Sequence, residues 1–384
     1  MEERPVIARG RKSAEQRLVL LVGSNPLPNY LRVWVDPPRE VVLVASAVSL
    51  PLAHRLAMII ENEFDTTSTV IIELDDPVSF SSCKNALASI GPGAALDYTG
   101  GTKVMAVAAR EALAPPSSRA SYVEDLSEPD SIGRVRFDDG RSVNIPPTAV
   151  DLNRMFRIHG ISARKESTPA LLRFDDLLIE PFTIDPSDAT AFHHHLRSSD
   201  EQDLALRVRG FAAGRAGSAN AALVAAAERV ELVSLNAKQL KKTQKELESG
   251  WFESWVSSVI SGLAPAAELR TGANLCRESG REFEVDMLVG RGHRLHLVSV
   301  TISGEPGEVK RKAFEAGFRA QQVGGVLARS SVVSLLDAKA LALVRADVEG
   351  VWDAVNVPRI FGAGDVKRWH RGDTTSLGKW LEVA

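Results

Sequence analysis

A glycine pair between an apolar run and a helical pattern is the segment best suited to chemistry. Residues 94–96 are apolar and lead into DYTGGTK at 97–103, after which the apolar spacing of 104–108 favours a helix. Adjacent glycines let the backbone approach a ligand closely and adopt positive φ angles. The free N–H groups at a helix start attract anions, and Lys103 adds a positive charge. The segment therefore predicts a phosphate-binding loop.

A second polar loop, at residues 24–29, follows the first apolar run of the chain, 17–23. The candidates for ligand contact in this loop and after the next apolar run are Ser24, Asn25, Asn29 and Ser46. Asparagine and serine are also typical of plain turns around proline, and Pro26 and Pro28 lie in this loop. The glycine pair is likewise typical of an ordinary strand-to-helix turn capped by Thr102. Both interpretations stay open on local sequence.

The elements that must position these loops alternate between apolar strands and helical patterns. The sequence predicts strands at 17–23, 40–46, 68–74 and 94–98, and helices at 51–64, 79–90 and 102–113. This alternation is typical of a parallel, doubly wound α/β sheet. A hairpin over 133–145 predicts an antiparallel edge. Both loops follow strands, and ligands of such sheets bind beyond the carboxyl ends of the strands.

A second α/β pattern begins near residue 250. The sequence predicts helices at 251–263 and 308–322 and strands at 284–289, 294–302 and 325–328. The residues between the two patterns are rich in Ala, Leu, Arg and Lys and favour helices. We therefore expect three parts: a first α/β domain at 1–150, a helical connector at 151–247 and a second α/β domain at 248–384.

Bulk composition narrows the class of protein. A length of 384 residues predicts two or three domains. The net charge of −3 gives no overall basic field that would attract nucleic acid. The two cysteines, Cys83 and Cys276, lie too far apart to indicate a disulfide framework or a metal site. Because no apolar stretch is long enough to span a membrane and the N-terminus lacks a secretion signal, we expect a cytoplasmic protein without membrane contact.

The motif TGGTK at 99–103, with GSNPLPNY at 23–30, resembles the signature of CARF domains, the Rossmann-like sensors of type III CRISPR systems. The resemblance implies a cyclic oligoadenylate ligand, cyclic tetra-adenylate, lying across the two-fold axis of a homodimer. It assigns ligand contact to residues of both loops and of the second strand: Ser24, Asn25, Asn29, Ser46, Thr99, Gly100, Gly101, Thr102 and Lys103. A ring of about four phosphates would face two copies of Lys103 and two helix N-termini.

The second α/β pattern resembles the PD-(D/E)xK nuclease domain that is attached to such sensors. The matching segments are GWFE at 250–253, EVD at 284–286 and the strand at 295–302. The resemblance implies that Glu253 and Asp286 bind Mg²⁺ or Mn²⁺, and Glu284 shares the strand face of Asp286 as a further catalytic candidate. The family's Glu-x-Lys pair falls on Ser299 and Thr301, which supply no charge.

This departure leaves alternative functions open. In the first, the protein senses cyclic oligoadenylate through its first domain, which is coupled to a nuclease-like domain whose cleavage is impaired or lost. In the second, it is a metal-dependent endonuclease of DNA or RNA in which migrated residues replace the missing groups. The candidates just beyond the strand are Glu305, Glu308, Lys310 and Lys312, although a solvated helix face also accounts for this charged run. A nucleotide-responsive transcription regulator is disfavoured because no helix-turn-helix pattern follows the sensor.

Overall fold

The computed structural model describes residues 16–125, 133–164, 171–352 and 356–383. The chain forms two compact units that divide between Ile161 and Ser162. Each unit is built on its own mixed α/β sheet. Within the described residues, no helix combines the length and the apolar character needed to cross a lipid bilayer.

The first unit alternates strands and helices along most of its length. Its strands are β1 (Arg17–Leu21), β2 (Glu40–Ser46), β3 (Ser68–Leu74), β4 (Ala95–Asp97), β5 (Ala120–Asp125), β6 (Gly133–Phe137) and β7 (Ser142–Asn144). Its helices are α1 (Leu27–Val35), α2 (Leu50–Glu63), α3 (Phe80–Ala88), α4 (Lys103–Leu113) and α5 (Leu152–Ile158). The sheet order is β3-β2-β1-β4-β5-β6-β7, parallel through β5 and antiparallel beyond it.

Both faces of this sheet are covered, as the uninterrupted apolar strands predicted. Leu18 and Leu20 of β1 point into a core shared with α1 and α2, whereas Val19 and Leu21 point into a second core shared with α3 and α4. The order 3-2-1-4-5 is that of a doubly wound Rossmann-like sheet. The predicted strands, helices and antiparallel hairpin of this region are confirmed. The sequence reasoning missed β5, and it missed α1, which begins inside the polar loop at Leu27.

The second unit combines a six-stranded sheet with helices from the middle and the end of the chain. Its strands are β8 (Ile161–Ala163), which crosses the boundary, β9 (Glu268–Arg277), β10 (Glu282–Arg291), β11 (Arg294–Val300), β12 (Arg329–Val333) and β13 (Arg359–Phe361). Its helices are α6 (Asp175–Ile184), α7 (Pro186–Ser198), α8 (Leu204–Ala212), α9 (Gly217–Glu231), α10 (Ala237–Lys245), α11 (Trp251–Leu263), α12 (Pro306–Gly324), α13 (Ala338–Val351), α14 (Ala363–His370) and α15 (Thr375–Leu381). A π-helical turn, Glu246–Gly250, joins α10 to α11.

The sheet order of this unit is β13-β12-β11-β10-β9-β8. The strands β9, β10 and β11 pair antiparallel, and β11, β12 and β13 pair parallel. One continuous core joins the inner face of the sheet to helices α6–α9, α11, α14 and α15. The helices between residues 171 and 247 thus pack into the same core as α11.

One predicted strand of this unit is wrong. Residues 325–328 do not extend the sheet, since Gly325–Leu327 forms a 3-10 turn and the strand begins only at Arg329. Gly325 has a φ of 71°, a left-handed conformation that ends α12 and delays the strand. The sequence reasoning also missed β9, β13 and the three C-terminal helices.

Candidate functional site

The glycine loop lies at the carboxyl edge of the first sheet. Strand β4 ends at Asp97 and α4 begins at Lys103, so residues 98–102 form the turn between them. Strand β1 lies between β2 and β4, and all three run parallel. Ser24 after β1 and Ser46 at the end of β2 therefore emerge at the same edge as the glycine loop.

The two glycines are required because the loop rests directly on the end of β1. A Cβ atom on Gly100 would lie 2.1 Å from the carbonyl oxygen of Leu21. Gly101 has a φ of 74°, and a Cβ there would lie 2.9 Å from the Leu21 Cβ. A Cβ on Gly23 would lie 3.0 Å from the Gly101 nitrogen. The glycine pair thus sets the close approach of loop to strand, which brings the loop backbone to the sheet edge.

A buried carboxylate organises the loop from below. Asp97 is fully buried, and its Oδ1 accepts hydrogen bonds from the Thr99 nitrogen (3.1 Å) and Thr99 Oγ1 (2.6 Å). Its Oδ2 accepts from Ser121 Oγ (2.9 Å). Burial raises the pKa of Asp97, against the lowering effect of the Thr99 bonds and of nearby Arg32. Thr99 Oγ1 also accepts a hydrogen bond from the Val123 nitrogen (2.7 Å), so its hydroxyl is engaged in bonds that hold the loop in place.

Thr102 and Lys103 form the exposed start of α4. Thr102 Oγ1 accepts a hydrogen bond from the Met105 nitrogen (3.1 Å) and donates to the Pro77 carbonyl (3.0 Å). The predicted helix cap is therefore confirmed. Lys103 is exposed at the first helical position and makes no ion pair with any residue that the structure describes. Its ammonium group is available to an anion at the carboxyl edge of the sheet.

The predicted contact residues of the first loop differ in exposure. Ser24 is exposed, whereas Asn25 and Ser46 are half-buried. Asn25 Oδ1 accepts from the Leu27 nitrogen (3.2 Å), and Ser46 Oγ lies 3.2 Å from Ser49 Oγ. Asn29 lies within α1 and is fully buried, where its Nδ2 donates to the Leu21 carbonyl (3.1 Å). Of the predicted contact residues, Ser24 and residues 101–103 are therefore the exposed ones.

In the second unit, Asp286 and Ser299 lie side by side on neighbouring strands. Ser299 Oγ donates to Asp286 Oδ2 (2.9 Å), and the Val300 nitrogen donates to the same oxygen (2.7 Å). The other predicted replacement, Thr301, is buried just after β11, and its Oγ1 accepts from the Ser303 nitrogen (3.2 Å). The hydroxyl of Ser299 thus fixes the Asp286 carboxylate without adding charge.

Glu253 approaches this pair from α11. Burial, and next the neighbouring charge of Asp286, raises the pKa of Glu253 to about 8, while Lys245 and Lys312 act in the opposite direction. Two carboxyl groups close together in a poorly solvated place cannot both ionise readily. Glu253 is therefore largely protonated at neutral pH.

Four charged residues beyond β11, Glu305, Glu308, Lys310 and Lys312, are candidates to replace the missing catalytic groups. Of these, Lys312 lies beside Asp286. A cavity of about 80 Å³ is lined by Asp286, Ser299 and Glu284 from the strands and by Lys312, Glu315 and Arg319 from α12. Lys310, by contrast, pairs with Asp347 (3.0 Å). The three α12 residues follow the i, i+3, i+7 spacing of one helix face. That spacing is the signal by which Glu315 and Arg319, absent from the sequence-based site, could have been found.

The donor set does not fit a divalent metal site as it stands. Within the described residues, no three His, Cys, Asp or Glu side chains are grouped so that they could hold a metal ion. Mg²⁺ and Mn²⁺ favour several oxygen ligands, carboxylates above all. Here Asp286 is held by Ser299, Glu253 favours its protonated form, and Glu284 lies 3.9 Å from Lys245 as an ion pair.

Comparison with known proteins identifies the fold. No family model matches the chain, and no curated protein sequence matches it. The structure is similar to that of Can2 from Sulfobacillus thermosulfidooxidans in complex with cyclic tetra-adenylate, with a TM-score of 0.66, 17% identity and coverage of 96% of this chain and 98% of that one. It is also similar to protein VC1899 from Vibrio cholerae, with a TM-score of 0.62, 14% identity and coverage of 96% and 98%.

A third similar structure is a type III CRISPR defence DNA nuclease activated by cyclic oligoadenylate. Its TM-score is 0.50 at 20% identity, and the match covers 83% of this chain and 45% of that one. The two likenesses that extend over nearly the whole chain confirm the predicted fold class. The chain therefore shares the fold of these proteins, a Rossmann-like α/β unit followed by helices and a second α/β unit.

Proposed function

We propose that this protein is a cytoplasmic sensor of cyclic oligoadenylate in type III CRISPR defence, with cyclic tetra-adenylate as its ligand. The ligand is read by the glycine loop and coupled to a nuclease-like unit whose cleavage is impaired or lost. The observation that carries the proposal is the exposed Lys103 at the start of α4, which forms no ion pair among the described residues. It lies beside the glycine pair at the carboxyl edge of a parallel sheet.

Charge and position favour a polyanionic ligand at this edge. The N-terminus of α4 presents backbone N–H groups, and Lys103 adds a full charge at the same place. The likeness to the Can2 complex with cyclic tetra-adenylate, over 96% of this chain, supports a cyclic adenylate as that anion.

We infer that the ligand is shared by two copies of the chain. A cyclic ligand of repeated units suits an isologous interface, in which the same loop of each copy faces the ring. Val107, one turn after Lys103 on α4, is 60% exposed, and Val48, just after β2, is 90% exposed. A homodimer formed at this edge would cover apolar groups of this kind. Sedimentation of the free and ligand-bound protein tests this part of the proposal.

Calorimetry with cyclic tetra-adenylate tests the sensor. We expect tight binding by the wild-type chain and a loss of at least tenfold in Lys103→Ala. The matched control is Lys84→Ala, which removes another exposed lysine of the same unit, paired with Glu111 on the surface. The absence of heat with the wild type, or equal affinities for the Lys103 and Lys84 variants, would refute cyclic-oligoadenylate sensing by this loop.

The lack of a second strand carboxylate beside Asp286 supports impaired cleavage. The family's second strand carboxylate is replaced by Ser299, and the described residues offer no group of three metal ligands. We expect no cleavage of plasmid DNA, single-stranded DNA or RNA when cyclic tetra-adenylate and Mn²⁺ are both present. Ligand-dependent cutting that Asp286→Ala abolishes would overturn this half of the proposal and leave the sensor intact.

The position of Lys312 favours a second candidate function, a DNA or RNA endonuclease with a relocated lysine. Its ammonium lines the same cavity as Asp286 and lowers the pKa of Glu253, as a catalytic cation would. This candidate predicts ligand-dependent cutting that Lys312→Ala reduces at least a hundredfold. The control variant Lys310→Ala should retain activity, because Lys310 pairs with Asp347 instead. Cutting that is equally sensitive to both lysines would contradict the role of Lys312.

A further inference from the structure

A second cavity of the C-terminal unit lies apart from the nuclease-like site. It has a volume of about 490 Å³, within the range of small-ligand sites. Its lining residues come from β13, α14, α15 and the turn between the two helices: Arg359, Arg368, Asp373, Thr375, Ser376, Lys379 and Trp380. Three cations, two hydroxyl groups and an indole ring thus face one carboxylate in a single concavity.

The cavity is on the other face of the sheet from Asp286. Arg359 is in register with Ser331 of β12, which is in register with Val298 of β11. Val298 packs in the helical core, and the next residue, Ser299, points to the opposite face, where it bonds Asp286. Paired residues of neighbouring strands share a face, so Arg359 stands on the side away from Ser299. The cavity is therefore independent of the carboxylate site.

Positive charge around this cavity exceeds what the protein itself neutralises. Arg368 and Arg345 both pair with the buried Asp365. Burial, and next the neighbouring Arg359, lowers the pKa of Arg345, which shows how closely these cations are grouped. Within the described residues, neither Arg359 nor Lys379 forms an ion pair, and both are exposed. Guanidinium groups that lack a carboxylate partner are well suited to bind phosphate oxygens.

The remaining groups of the cavity suit a nucleoside. Trp380 is half-buried and held by edge-on contacts with His296 (ring centroids 5.0 Å apart) and Phe361 (6.1 Å). A fixed indole ring beside cations is the arrangement on which nucleic-acid bases stack. Ser376 Oγ accepts from Trp369 Nε1 (3.1 Å) and keeps its own hydrogen for donation. Asp373 supplies an acceptor for a sugar hydroxyl or a base amino group.

We propose that this cavity binds a phosphorylated nucleoside, with its phosphate held by Arg359, Arg368 and Lys379 and its base stacked on Trp380. The ligand chemistry is the same for a free nucleotide and for one unit of a single-stranded nucleic acid. The site gives the C-terminal unit a nucleotide-binding function that needs no cleavage.

Two titrations with the full-length chain test the cavity. Calorimetry with AMP measures free nucleotide, and fluorescence anisotropy of a labelled twelve-residue oligodeoxyadenylate measures the single strand. We expect binding of at least one probe, reduced at least tenfold by Arg359→Gln and by Trp380→Leu. If either of these variants fails to fold, Lys379→Gln provides the same test, because Lys379 is exposed. Tighter binding of the oligonucleotide identifies the strand as the source, and binding of AMP alone identifies the free nucleotide.

Two control variants show whether the binding belongs to this cavity. Lys339→Gln removes an exposed lysine of the same unit that does not line the cavity, and it should bind both probes like the wild type. Lys84→Ala should also retain binding, because Lys84 belongs to the other unit and pairs with Glu111 there. The proposal is overturned if neither probe binds at about 1 mM, the scale of weak binding. It is equally overturned by a Lys339→Gln effect as large as that of Arg359→Gln, or by loss of binding in Lys84→Ala.

Discussion

Ser299 Oγ and Asp286 Oδ2 lie 2.9 Å apart, joined by a hydrogen bond across neighbouring strands. The bond satisfies one oxygen of a partly buried carboxylate with a neutral donor. The Val300 nitrogen donates to the same oxygen, and Asp286 also lines the small cavity beside α12. Position 299 could carry a second carboxylate, but its serine instead stabilises the carboxylate of Asp286. This accounts for the lack of a metal site among the described residues.

Substitution of Ser299 by glutamate should create metal binding at this place. Ser299→Glu places a second strand carboxylate beside Asp286, and several carboxylate oxygens are what Mn²⁺ requires. We expect the affinity for Mn²⁺ measured by calorimetry to rise at least tenfold, which corresponds to about 1.4 kcal/mol.

Ser299→Gln is the matched control, since it has the size of glutamate but no charge. It should leave the weak Mn²⁺ binding of the wild type unchanged. An equal gain in both variants would show that space rather than charge limits metal binding. Asp286→Asn added to Ser299→Glu should remove the gain, because one of the paired carboxylates is then lost.

The sequence was sufficient to predict most of the first sheet. Strands β2 and β3 were predicted residue for residue. Strand β2 is buried on both faces and is a continuous apolar run between turns. Strand β3 lies at the edge of the sheet and is more exposed, but its sequence, STVIIEL, also contains a short apolar run. Strand β5 was missed because its sequence, ASYVED, mixes polar and apolar residues and its partner on one side is an antiparallel edge. The start of α1 at Leu27 was hidden by two prolines, which are also acceptable in the first turn of a helix.

The candidate sites were predicted less completely, because they depend on tertiary contacts between residues that are far apart in the sequence. The glycine corner is local in sequence and could be identified from seven residues. The cavity beside Asp286 is lined by Lys312 of α12, which is far from Asp286 in the sequence. The sequence does not show which face of α12 packs against the strand. The role of Asp97 was missed in the same way, because its partner Ser121 belongs to the strand that sequence reasoning did not identify.

Substitution of Gly101 should destabilise the first unit more than a positive φ alone would. Gly101→Ala forces alanine into a left-handed conformation and also brings its Cβ to 2.9 Å from the Leu21 Cβ. Gly91 has a similar φ of 83° but nothing within 4 Å of a Cβ. We expect chemical denaturation to show a loss of roughly 1 kcal/mol for Gly91→Ala and roughly 2–4 kcal/mol for Gly101→Ala. Similar losses would mean that the loop does not rest on β1.

Removal of the Thr102 hydroxyl should weaken the start of α4. Thr102→Val keeps the side-chain shape but removes the acceptor of the Met105 N–H and the donor to the Pro77 carbonyl. Loss of a helix cap costs about 1 kcal/mol, and the lost bond to Pro77 adds to it. We expect the free energy of unfolding to fall by about 1–2 kcal/mol, and Thr102→Ser, which keeps both bonds, to lie close to the wild type. A neutral Thr102→Val would contradict the capping role.

The half-buried His159 should make the first unit sensitive to mild acid. Burial lowers the pKa of His159 to about 4, aided by nearby Arg55 and opposed by the bond of Nδ1 to the Met155 carbonyl (3.0 Å). The unfolded chain, whose histidine titrates near 6.5, therefore binds more protons than the folded chain between about pH 6.5 and 4. The stability that His159 contributes is complete above about pH 6.5 and falls as the pH drops toward 4, by about 3 kcal/mol from this residue.

Denaturation of His159→Asn across this pH range measures the contribution of His159. The asparagine amide can still donate to the Met155 carbonyl but does not titrate, so we expect its stability to decline less steeply below about pH 6.5 than that of the wild type. His54→Asn is the control, because His54 is exposed on α2 and its replacement should leave the wild-type slope unchanged. Because any other buried histidine is common to all three proteins, the difference in slope belongs to His159 alone. Equal slopes in the two variants would show that His159 is accessible to protons in the folded chain.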